Sequence, residues 1–240
     1  MMAVILAGGK GTRLRPFTIT IPKPLLPLGD TPIIEVVLKQ LAFAGFKRVV
    51  VTLGHLAHLF EACVGDGRRF GIDVEYMREE QPLGTAGSLR LVPNAAENML
   101  VMNGDLLTTL DYAQLMDTHV KSRAWATIAV HKREAHIDYG VVEMTPTGDL
   151  ERYIEKPSIP YEVSMGINVI SRRCIELIPA DTHFDMPQLM NSVRAAGHRV
   201  ACHRSDCYWQ DIGRMDDFQR ANEDFEADSE RFLRAPSGDR

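Results

Sequence analysis

The sequence predicts an α/β protein of three layers around a mixed, mostly parallel central sheet, with antiparallel additions. Two observations lead to this class. From residue 1 to about 120, short apolar runs typical of buried strands alternate with amphipathic helical patterns, as in βαβ units. After about residue 124, strands follow one another through short turns, which favours an antiparallel second lobe. The 240 residues, 45% hydrophobic and 25% charged, suffice for one large domain or two small ones.

The first part of the chain supplies the predicted parallel sheet. Continuous apolar runs predict four strands, at residues 3–7, 48–53, 74–77 and 99–102. A helix is predicted to begin at Thr31-Pro32, with Thr31 as its N-cap, and to end at Gly45. A second helix is predicted over 55–64, and residues 84–92 form a loop entering a helix. Such sheets bind ligands beyond the carboxyl ends of their strands, where residues 8–15 and Asp105 lie.

The second part of the chain has a different pattern. Strands are predicted at residues 125–131, 140–144, 150–154 and 199–203. The segment 145–149, Thr-Pro-Thr-Gly-Asp, predicts a hairpin turn. Helices are predicted near 171–178, 186–196 and 215–225. The polar residues 226–240 are expected to fray.

Composition excludes several classes of function. A net charge of −5 gives no reason to expect nucleic acid or an anionic membrane as partner. No apolar run approaches the roughly 20 residues of a membrane helix, and residues 1–7 lack the basic start of a signal peptide, so we expect a cytoplasmic protein. The cysteines, Cys63, Cys174, Cys202 and Cys207, are too few and scattered for a disulfide scaffold. Zinc binding around His203 is disfavoured because the spacing fits no common motif, so reduced thiols are expected.

A basic, glycine-rich loop follows the first predicted strand: Gly8-Gly9-Lys10-Gly11-Thr12-Arg13-Leu14. Its glycines let backbone N–H groups approach a phosphate, and its cations can hold the phosphate charge. The loop lacks the Walker A pattern, and Leu14 stands where a dinucleotide fingerprint needs its third glycine. Residues 1–30 carry a charge of +3 in an otherwise acidic chain. The alternative to phosphate binding is a plain tight turn with solvated bases.

Several short motifs resemble, in order, those of the sugar-1-phosphate nucleotidyltransferases. They are residues 5–16 (ILAGGKGTRLRP), 22–27 (PKPLLP), 82–87 (PLGTAG), 103–105 (NGD), 139–142 (YGVV), 155–157 (EKP) and 209–213 (WQDIG). The resemblance spans roughly residues 3–225, and its strength lies in the number and order of the motifs.

The resemblance implies transfer of a nucleoside monophosphate from a nucleoside triphosphate to a sugar-1-phosphate, with release of pyrophosphate. The attacking phosphate oxygen is already anionic, so positioning and charge stabilisation suffice without a strong general base. By resemblance, Arg13 contacts the triphosphate and stabilises the leaving pyrophosphate. Lys23 contacts the phosphates near the reacting centre. Without the resemblance, Lys23 could be a solvated loop lysine, although the prolines on both sides stiffen its loop.

Asp105 and Asp211 lie far apart in sequence, each at the end of a predicted strand. Mg²⁺ prefers few carboxylates together with waters and phosphate oxygens. In the resembled family this pair holds the catalytic Mg²⁺, which makes Mg²⁺ the expected cofactor. Taken singly, either aspartate could be a turn former or a helix cap.

The resemblance also assigns the residues that recognise the substrates. Nucleotide binding is implied for Leu6, Ala7, Gly8, Gly9, Gly11, Thr12, Arg13, Lys23, Gln81, Gly84, Thr85 and Asp105. Sugar-phosphate binding is implied for Asn103, Gly140, Glu155, Lys156, Gly166 and Asn168. The adjacent Glu155 and Lys156 could instead form a surface ion pair in a hairpin, which is common.

The base and the sugar are assigned by resemblance alone. Residues 79–89, 102–107 and 209–222 are most similar to the guanylyltransferase branch, which implies GTP; UTP or another triphosphate is the alternative. The resemblance leaves three kinds of sugar-1-phosphate open: mannose, a heptose, and an amino sugar such as glucosamine. Longer members of the family often carry a C-terminal β-helix, through which they can assemble. We do not expect a β-helix here, so a homo-oligomer would form through the catalytic domain.

Residues 1–225 are expected to form one Rossmann-like catalytic domain. Its nucleotide-binding half runs to about residue 120 and its sugar-phosphate-binding half covers 121–225, followed by a polar tail over 226–240. Two other functions fit the sequence less well. A non-catalytic regulator that binds a nucleotide-sugar is disfavoured because the phosphate cations and both aspartates are present. A dinucleotide-binding oxidoreductase is disfavoured by Leu14.

Overall fold

The computed structural model describes residues 1–9, 11–54 and 56–233. Its strands are β1 (Met2–Ala7), β2 (Pro27–Leu28), β3 (Thr31–Pro32), β4 (Arg48–Leu53), β5 (Asp73–Arg78), β6 (Asn98–Asn103), β7 (Leu106–Thr108), β8 (Ala126–His136), β9 (Val141–Met144), β10 (Leu150–Ile154), β11 (Ser158–Ser171), β12 (Val200–Arg204) and β13 (Trp209–Asp211). Its α-helices are α1 (Ile33–Phe43), α2 (Ala57–Val64), α3 (Gly84–Gly87), α4 (Tyr112–Ser122), α5 (Met186–Ala195), α6 (Met215–Ala227) and α7 (Ser229–Leu233). None of these described helices has the length and apolarity to cross a membrane.

A seven-stranded sheet in the order β12-β8-β11-β6-β1-β4-β5 forms the centre of the molecule. Neighbouring strands are parallel except at β11, which is antiparallel to both β6 and β8. The mixed, mostly parallel sheet predicted from the sequence is therefore confirmed. The chain leaves β1 for β4 on one side and reaches β6 on the other. The strand order thus reverses at β1, and the crevice between β1 and β6 is where such sheets bind ligands.

Helices cover both faces of the sheet because its central strand is apolar on both sides. Successive side chains of a strand point to opposite faces. Ile5 of β1 belongs to a buried cluster with Leu38 of α1 and Leu115 of α4. Val4 belongs to a second cluster, with Leu189 of α5. The continuous apolar run of β1 is thus the pattern of a strand buried in the middle of three layers.

The predicted elements are mostly present, with small shifts at their ends, although the helix predicted near 171–178 is a 3-10 helix over Arg172–Leu177. Thr31, however, is not the N-cap of α1. Pro32 holds that position, because β2 and β3 pair and take Thr31 and Pro32 into a short ladder. Thr31 Oγ1 instead donates to Asp30 Oδ1 at 3.0 Å. The helix predicted over 55–64 is present as α2, and its first predicted residue, His55, lies outside the described residues.

The 14-residue strand β11 has no counterpart among the predicted elements. Its first half pairs with β8 alone; its second half, from about Ile167, also pairs with β6. Between Ser164 and Asn168 its register with β8 shifts, and Gly166 within the shift has a φ of 72°. Through β11 the residues after 121 join the same sheet as those before it.

The C-terminal segment does not fray over residues 226–233, contrary to expectation. Helix α6 extends to Ala227, and α7 follows it. Phe232 is 1% exposed and packs with Phe225 and Tyr208, at ring-centroid distances of 5.9 and 5.1 Å. Two phenylalanines seven residues apart supply the apolar contacts that hold this end of the chain. Residues 234–240 of the predicted tail lie outside the described residues.

Candidate active site

A cavity of about 430 Å³ lies where the strand order reverses, beyond the ends of β1 and β6. The N–H of Gly104 donates to Leu6 O at 3.0 Å and holds the loop after β6 against the end of β1. Apart from Gln81, the predicted nucleotide-binding residues all line this cavity: Leu6, Ala7, Gly8, Gly9, Gly11, Thr12, Arg13, Lys23, Gly84, Thr85 and Asp105. The structure therefore gathers these residues around one cavity, and their contacts with a nucleotide stay predictions.

The loop after β1 turns along the cavity at Gly11. A φ of 58° is one that side chains rarely adopt, and a Cβ at this position would come within 3.0 Å of Thr18. Leu14 N and Thr18 Oγ1 donate to Gly11 O at 3.0 and 2.7 Å. Leu14 is buried, whereas the neighbouring Arg13 is exposed and lines the cavity. Lys10, the other cation predicted here, lies outside the described residues.

Lys23 is a buried cation and not a solvated loop lysine. It begins the 3-10 helix Lys23–Leu25, and its side chain is only 9% exposed. Its Nζ forms an ion pair with Asp105 Oδ2. Since burying a charge is costly unless the charge is paired, Asp105 fixes the position of Lys23. The other oxygen, Asp105 Oδ1, is buried and has no hydrogen-bond partner in the described part of the chain.

Asp211 reaches the same point from a distant part of the sequence. Strand β13 pairs antiparallel with β7, which places Asp211 opposite Leu106. The N–H of Ile212 donates to Asp105 O at 3.1 Å. Partial burial raises the pKa of Asp211, and the Asp105 carboxylate raises it further. Lys23 and Arg13 lower it. The raised pKa of Asp211 therefore reflects mainly the burial of its carboxyl group, with repulsion from Asp105 as a smaller cause.

The two aspartates fit a divalent cation. An orphaned carboxylate oxygen beside a second carboxylate is the hard oxygen donor set that Mg²⁺ accepts together with waters and phosphate oxygens. Among residues 1–9, 11–54 and 56–233, no group of three or more His, Cys, Asp and Glu side chains could hold a metal. If Mg²⁺ binds here, Asp105 and Asp211 would be its protein ligands, and waters and phosphate oxygens would supply the others. The four cysteines are free thiols.

A second cavity, of about 490 Å³, adjoins the first on the side of β11. Leu6, Thr85 and Asn103 line both cavities. Asp105 lines the first and Asp211 the second. The carboxylate pair thus lies between two spaces, each large enough for a small ligand.

Three of the predicted sugar-phosphate residues line this second cavity: Asn103, Gly166 and Asn168. Gly166 is constrained, because a Cβ there would lie 2.7 Å from Asn103 Nδ2. The other three, Gly140, Glu155 and Lys156, flank the β9–β10 hairpin, and with the exposed Gln81 they line neither cavity. Their contacts with substrate stay predictions.

Several cavity-lining residues were not among the predicted site residues, although Pro24, Pro82 and Trp209 belong to the quoted motifs. In the first cavity they are Pro24, Thr52, Glu79, Pro82, Ser88, His183 and Asp185. In the second they are Leu106, Ile128, Ser164, Met165, Met186, Pro187, Met190, Asn191 and Trp209. Thr52 and Glu79 lie at the carboxyl ends of β4 and β5, at the same sheet edge as the glycine loop. Parallel pairing of these strands was a signal that could have found them.

Asp185 connects the segment around Thr85, which lines the first cavity, to helix α5, which lines the second. Its Oδ1 accepts from Thr85 N at 2.9 Å and from Thr85 Oγ1 at 3.2 Å. The N–H of Met186 donates back to Thr85 Oγ1 at 2.7 Å, and Gln188 Oε1 accepts from Asp185 N at 2.7 Å. Asp185 is the N-cap of α5, and the Asp-x-x-Gln spacing before a predicted helix was its sequence signal.

Glu79 places a half-buried carboxylate in the first cavity. Its Oε2 accepts from Leu83 N at 3.1 Å. Burial raises the pKa of Glu79, while the Leu83 amide and the nearby His183 oppose that rise. Burial therefore disfavours the ionised form of Glu79, and the Leu83 amide and His183 favour it.

Comparison with known proteins gives a consistent result. The sequence profile described as Nucleotidyl transferase matches residues 2–228. A mannose-1-phosphate guanylyltransferase of Mycobacterium tuberculosis is 34% identical over 228 residues, covering 92% of this chain and 64% of that protein. A UTP–glucose-1-phosphate uridylyltransferase of Synechocystis is 33% identical, covering 92% of this chain and 62% of that protein. The chain thus spans less than two thirds of the length of these curated relatives.

Solved structures share the fold. A putative glucose-1-phosphate thymidylyltransferase from Bacillus anthracis superposes with a TM-score of 0.74 at 23% identity, covering 93% of this chain and 94% of that one. HddC from Yersinia pseudotuberculosis, complexed with GMP-PN, has a TM-score of 0.72 at 24% identity, covering 93% and 99%. With the profile spanning nearly all of the described residues and relatives above 30% identity, the chain belongs to the nucleotidyl transferase family.

Proposed function

We propose that this chain transfers a nucleoside monophosphate from a nucleoside triphosphate, preferably GTP, to a sugar-1-phosphate and releases pyrophosphate. One observation carries the proposal. Two cavities meet at a pair of aspartates, and the pair is accompanied by a buried lysine and a cavity-lining arginine. Such an arrangement suits two anionic substrates that must be brought into contact.

In the proposed reaction an oxygen of the sugar phosphate attacks the α-phosphorus of the triphosphate in line. A bond forms between that oxygen and the α-phosphorus, and the bond to the β-phosphate bridging oxygen breaks, so that pyrophosphate leaves. No proton has to be removed from the nucleophile. The rate enhancement comes from positioning and from charge stabilisation at the phosphates.

Arg13 and Lys23 have different parts in this reaction. Arg13 is exposed on the loop at the mouth of the cavity, where its planar guanidinium can bridge two phosphate oxygens. Lys23 is held in place by Asp105 and presents a fixed point charge beside the junction of the cavities. We therefore assign Arg13 to the leaving pyrophosphate and Lys23 to the phosphates near the reacting centre.

Asp105 and Asp211 would hold Mg²⁺, with the unpaired Oδ1 of Asp105 as a natural ligand atom. When bound, the ion supplies positive charge to the non-bridging phosphate oxygens. Before substrates bind, Lys23 pairs with Asp105 and orients its carboxylate. The second cavity would take the sugar phosphate, against Asn103, Gly166 and Asn168. The residues around the β9–β10 hairpin, Glu155 and Lys156 included, are proposed to complete it.

GTP is favoured over other triphosphates because residues 79–89 resemble those of guanylyltransferases and because several relatives are named as mannose-1-phosphate guanylyltransferases. UTP is the alternative, since one relative is named as a uridylyltransferase. Mannose-1-phosphate is the first sugar to test for the same reason, followed by heptose and glucosamine 1-phosphates. We further propose that residues 1–120 and 121–225 divide nucleotide and sugar-phosphate binding between them.

The test is a pyrophosphate-release assay in Mg²⁺ with GTP, UTP, TTP, ATP and CTP against a panel of sugar-1-phosphates. We expect the highest kcat/KM with GTP and one hexose or heptose phosphate. No turnover with any pair would overturn the enzymatic function. Turnover with UTP and none with GTP would overturn only the base assignment.

A further inference from the structure

One set of contacts between distant parts of the chain lies where the two cavities meet. Residues 83–87 and 184–186 form six hydrogen bonds with each other, three between backbone groups and three through the side chains of Thr85 and Asp185. We call this set of contacts the clamp. Thr85 lines both cavities, Asp185 lines the first, and Met186 lines the second. The clamp therefore joins the walls of the two cavities.

The backbone part of the clamp brings the two segments into direct contact. Phe184 O accepts hydrogen bonds from Ala86 N and Gly87 N, both at 2.9 Å. A Cβ on Gly84, where φ is 78°, would lie 2.7 Å from Phe184 O, so the two backbones approach each other too closely for a side chain at this position. Because these bonds join backbone groups alone, they remain when a side chain of the clamp is replaced.

The side-chain part of the clamp fixes the beginning of α5 against Thr85. Asp185 Oδ1 accepts from Thr85 N at 2.9 Å and from Thr85 Oγ1 at 3.2 Å. Thr85 Oγ1 in turn accepts from the N–H of Met186, the first residue of α5, at 2.7 Å. The Thr85 hydroxyl thus uses its one donor within the clamp. Since Asp185 Oδ1 receives both Thr85 donors, its removal would release the orientation of Thr85 relative to α5.

We propose that Asp185 is a positioning residue for the transfer reaction, which acts through Thr85 to set the first cavity in a fixed orientation relative to α5 and the second cavity. This inference rests on the proposed function, because it takes the first cavity for the triphosphate and the second for the sugar phosphate. In-line attack requires the reacting atoms to lie about 3–3.5 Å apart, and a misplacement of about 1 Å can cost about 100-fold in rate. The clamp would hold the two bound substrates in that alignment.

Loss of the Asp185 carboxylate should therefore affect the rate of the bound complex more than the binding of either substrate. The backbone bonds of the clamp stay, so each cavity keeps its walls and each substrate its KM. We expect Asp185→Ala to lower kcat by about 10–100-fold, with both KM values within about 3-fold of the wild type. Asp185→Asn keeps an oxygen that can accept from both Thr85 donors, and it should restore kcat to within about 3-fold of the wild type.

The test measures initial rates of pyrophosphate release in Mg²⁺, with GTP and mannose-1-phosphate or whichever pair the wild type turns over fastest. Asp111→Ala is the matched control. Asp111 is the N-cap of α4, its side chain accepts from Gln114 N at 2.9 Å, and it lines neither cavity. It loses a helix cap of the same kind as Asp185→Ala does, and it should keep the wild-type kcat and KM.

A second variant opens the clamp from its other side. Thr85→Val removes the hydroxyl and keeps the amide that donates to Asp185, so kcat should fall by about 3–10-fold. This variant and Asp185→Asn decide the matter if Asp185→Ala does not fold. Amide hydrogen exchange supplies a readout without turnover, because Met186 N donates to the Thr85 hydroxyl. Its exchange should be about 10-fold faster in Thr85→Val than in the wild type.

Four results would overturn the proposal while leaving the proposed function intact. One is a wild-type kcat in Asp185→Ala or, where that chain does not fold, in Thr85→Val. A second is a raised KM with an unchanged kcat, which would make Asp185 a binding residue. A third is failure of Asp185→Asn to restore kcat, which would assign the role to the charge. The fourth is an equal loss of kcat in Asp111→Ala, which would indicate general destabilisation. No turnover by the wild type with any pair would overturn the proposed function and this inference with it.

Discussion

The ion pair between Lys23 and Asp105 can be probed by removing its partners one at a time. Lys23→Met keeps the length of the side chain and leaves the Asp105 carboxylate without its cation. The two side chains are 9% and 25% exposed. Their burial is intermediate between that of two kinds of ion pair. A surface pair contributes about 0–1 kcal/mol to stability, and breaking a buried pair costs about 3–5 kcal/mol. We expect Lys23→Met to lower the free energy of unfolding by about 2 kcal/mol at pH 7, equivalent to a Tm lower by about 4–8 °C.

A double-mutant cycle with Asp105→Asn isolates the interaction itself. Urea unfolding of the wild type, both single variants and the double variant, in metal-free buffer, should give a coupling energy of about 1 kcal/mol or more. The exposed pair of Lys121 and Asp117 on α4, 74% and 56% exposed, is the matched control. Its cycle should give about 0.5 kcal/mol or less. If the effects of Lys23→Met and Asp105→Asn add to within about 0.3 kcal/mol, the reasoning is refuted.

Further predictions concern the aspartates and the C-terminal helix. Asp105→Ala and Asp211→Ala should each nearly abolish pyrophosphate release, while exposed Asp216→Ala should not; a near-wild-type rate for either would contradict a shared metal site. Asp211→Asn should stabilise the metal-free chain at pH 7 by at most about 1 kcal/mol, since Asp211 stays partly exposed. Because the folded-state pKa of Asp211 is raised, the wild-type carboxylate becomes protonated in the folded chain as the pH falls, and the stability gained by Asp211→Asn should shrink. Thermal melts should show no gain below about pH 3.9, the ordinary pKa of an aspartate. A stability gain that increases as the pH falls would contradict the raised pKa. Phe232→Ala should cost about 3–5 kcal/mol in urea unfolding with kcat and KM unchanged, and a cost below about 1 kcal/mol would contradict the packing of α7.

The parallel part of the sheet could be predicted because each buried strand is a short continuous apolar run. Strand β11 could not, for a physical reason. Its residues 158–164 are mostly exposed, Pro160 interrupts them, and Gly166 bends the strand where its pairing changes. No single period describes such a strand. Helix α7 could not be predicted for another reason. Its only buried side chain, Phe232, lies among charged residues, so the sequence there shows no apolar face.

The motifs could single out charged residues that meet in space, since the phosphate and metal chemistry implied by the resemblance restricts the residue types; the roles of these residues stay predictions. The structure brings Arg13, Lys23 and Asp105 to one cavity, as expected. Glu79 and Asp185 were not predictable in the same way. Their positions in the cavity depend on which strand ends and turns come together in the fold. The loop at Phe184 and Asp185 contacts Thr85 and its neighbours only across about 100 residues of sequence.

Strand β11 also determines where the chain can be cut into fragments or joined to a relative. A fragment cut after residue 121 would lose β11 and leave β6 with a row of open N–H and C=O groups and fully buried apolar side chains on both faces. Such a fragment would be prone to aggregate edge to edge. Pairing β11 with β6 closes loops of about 65–73 residues, and contacts of such separation form late and slowly. A chimera that exchanges the second half between relatives would therefore succeed only if its β11 still matched the β6 of the recipient.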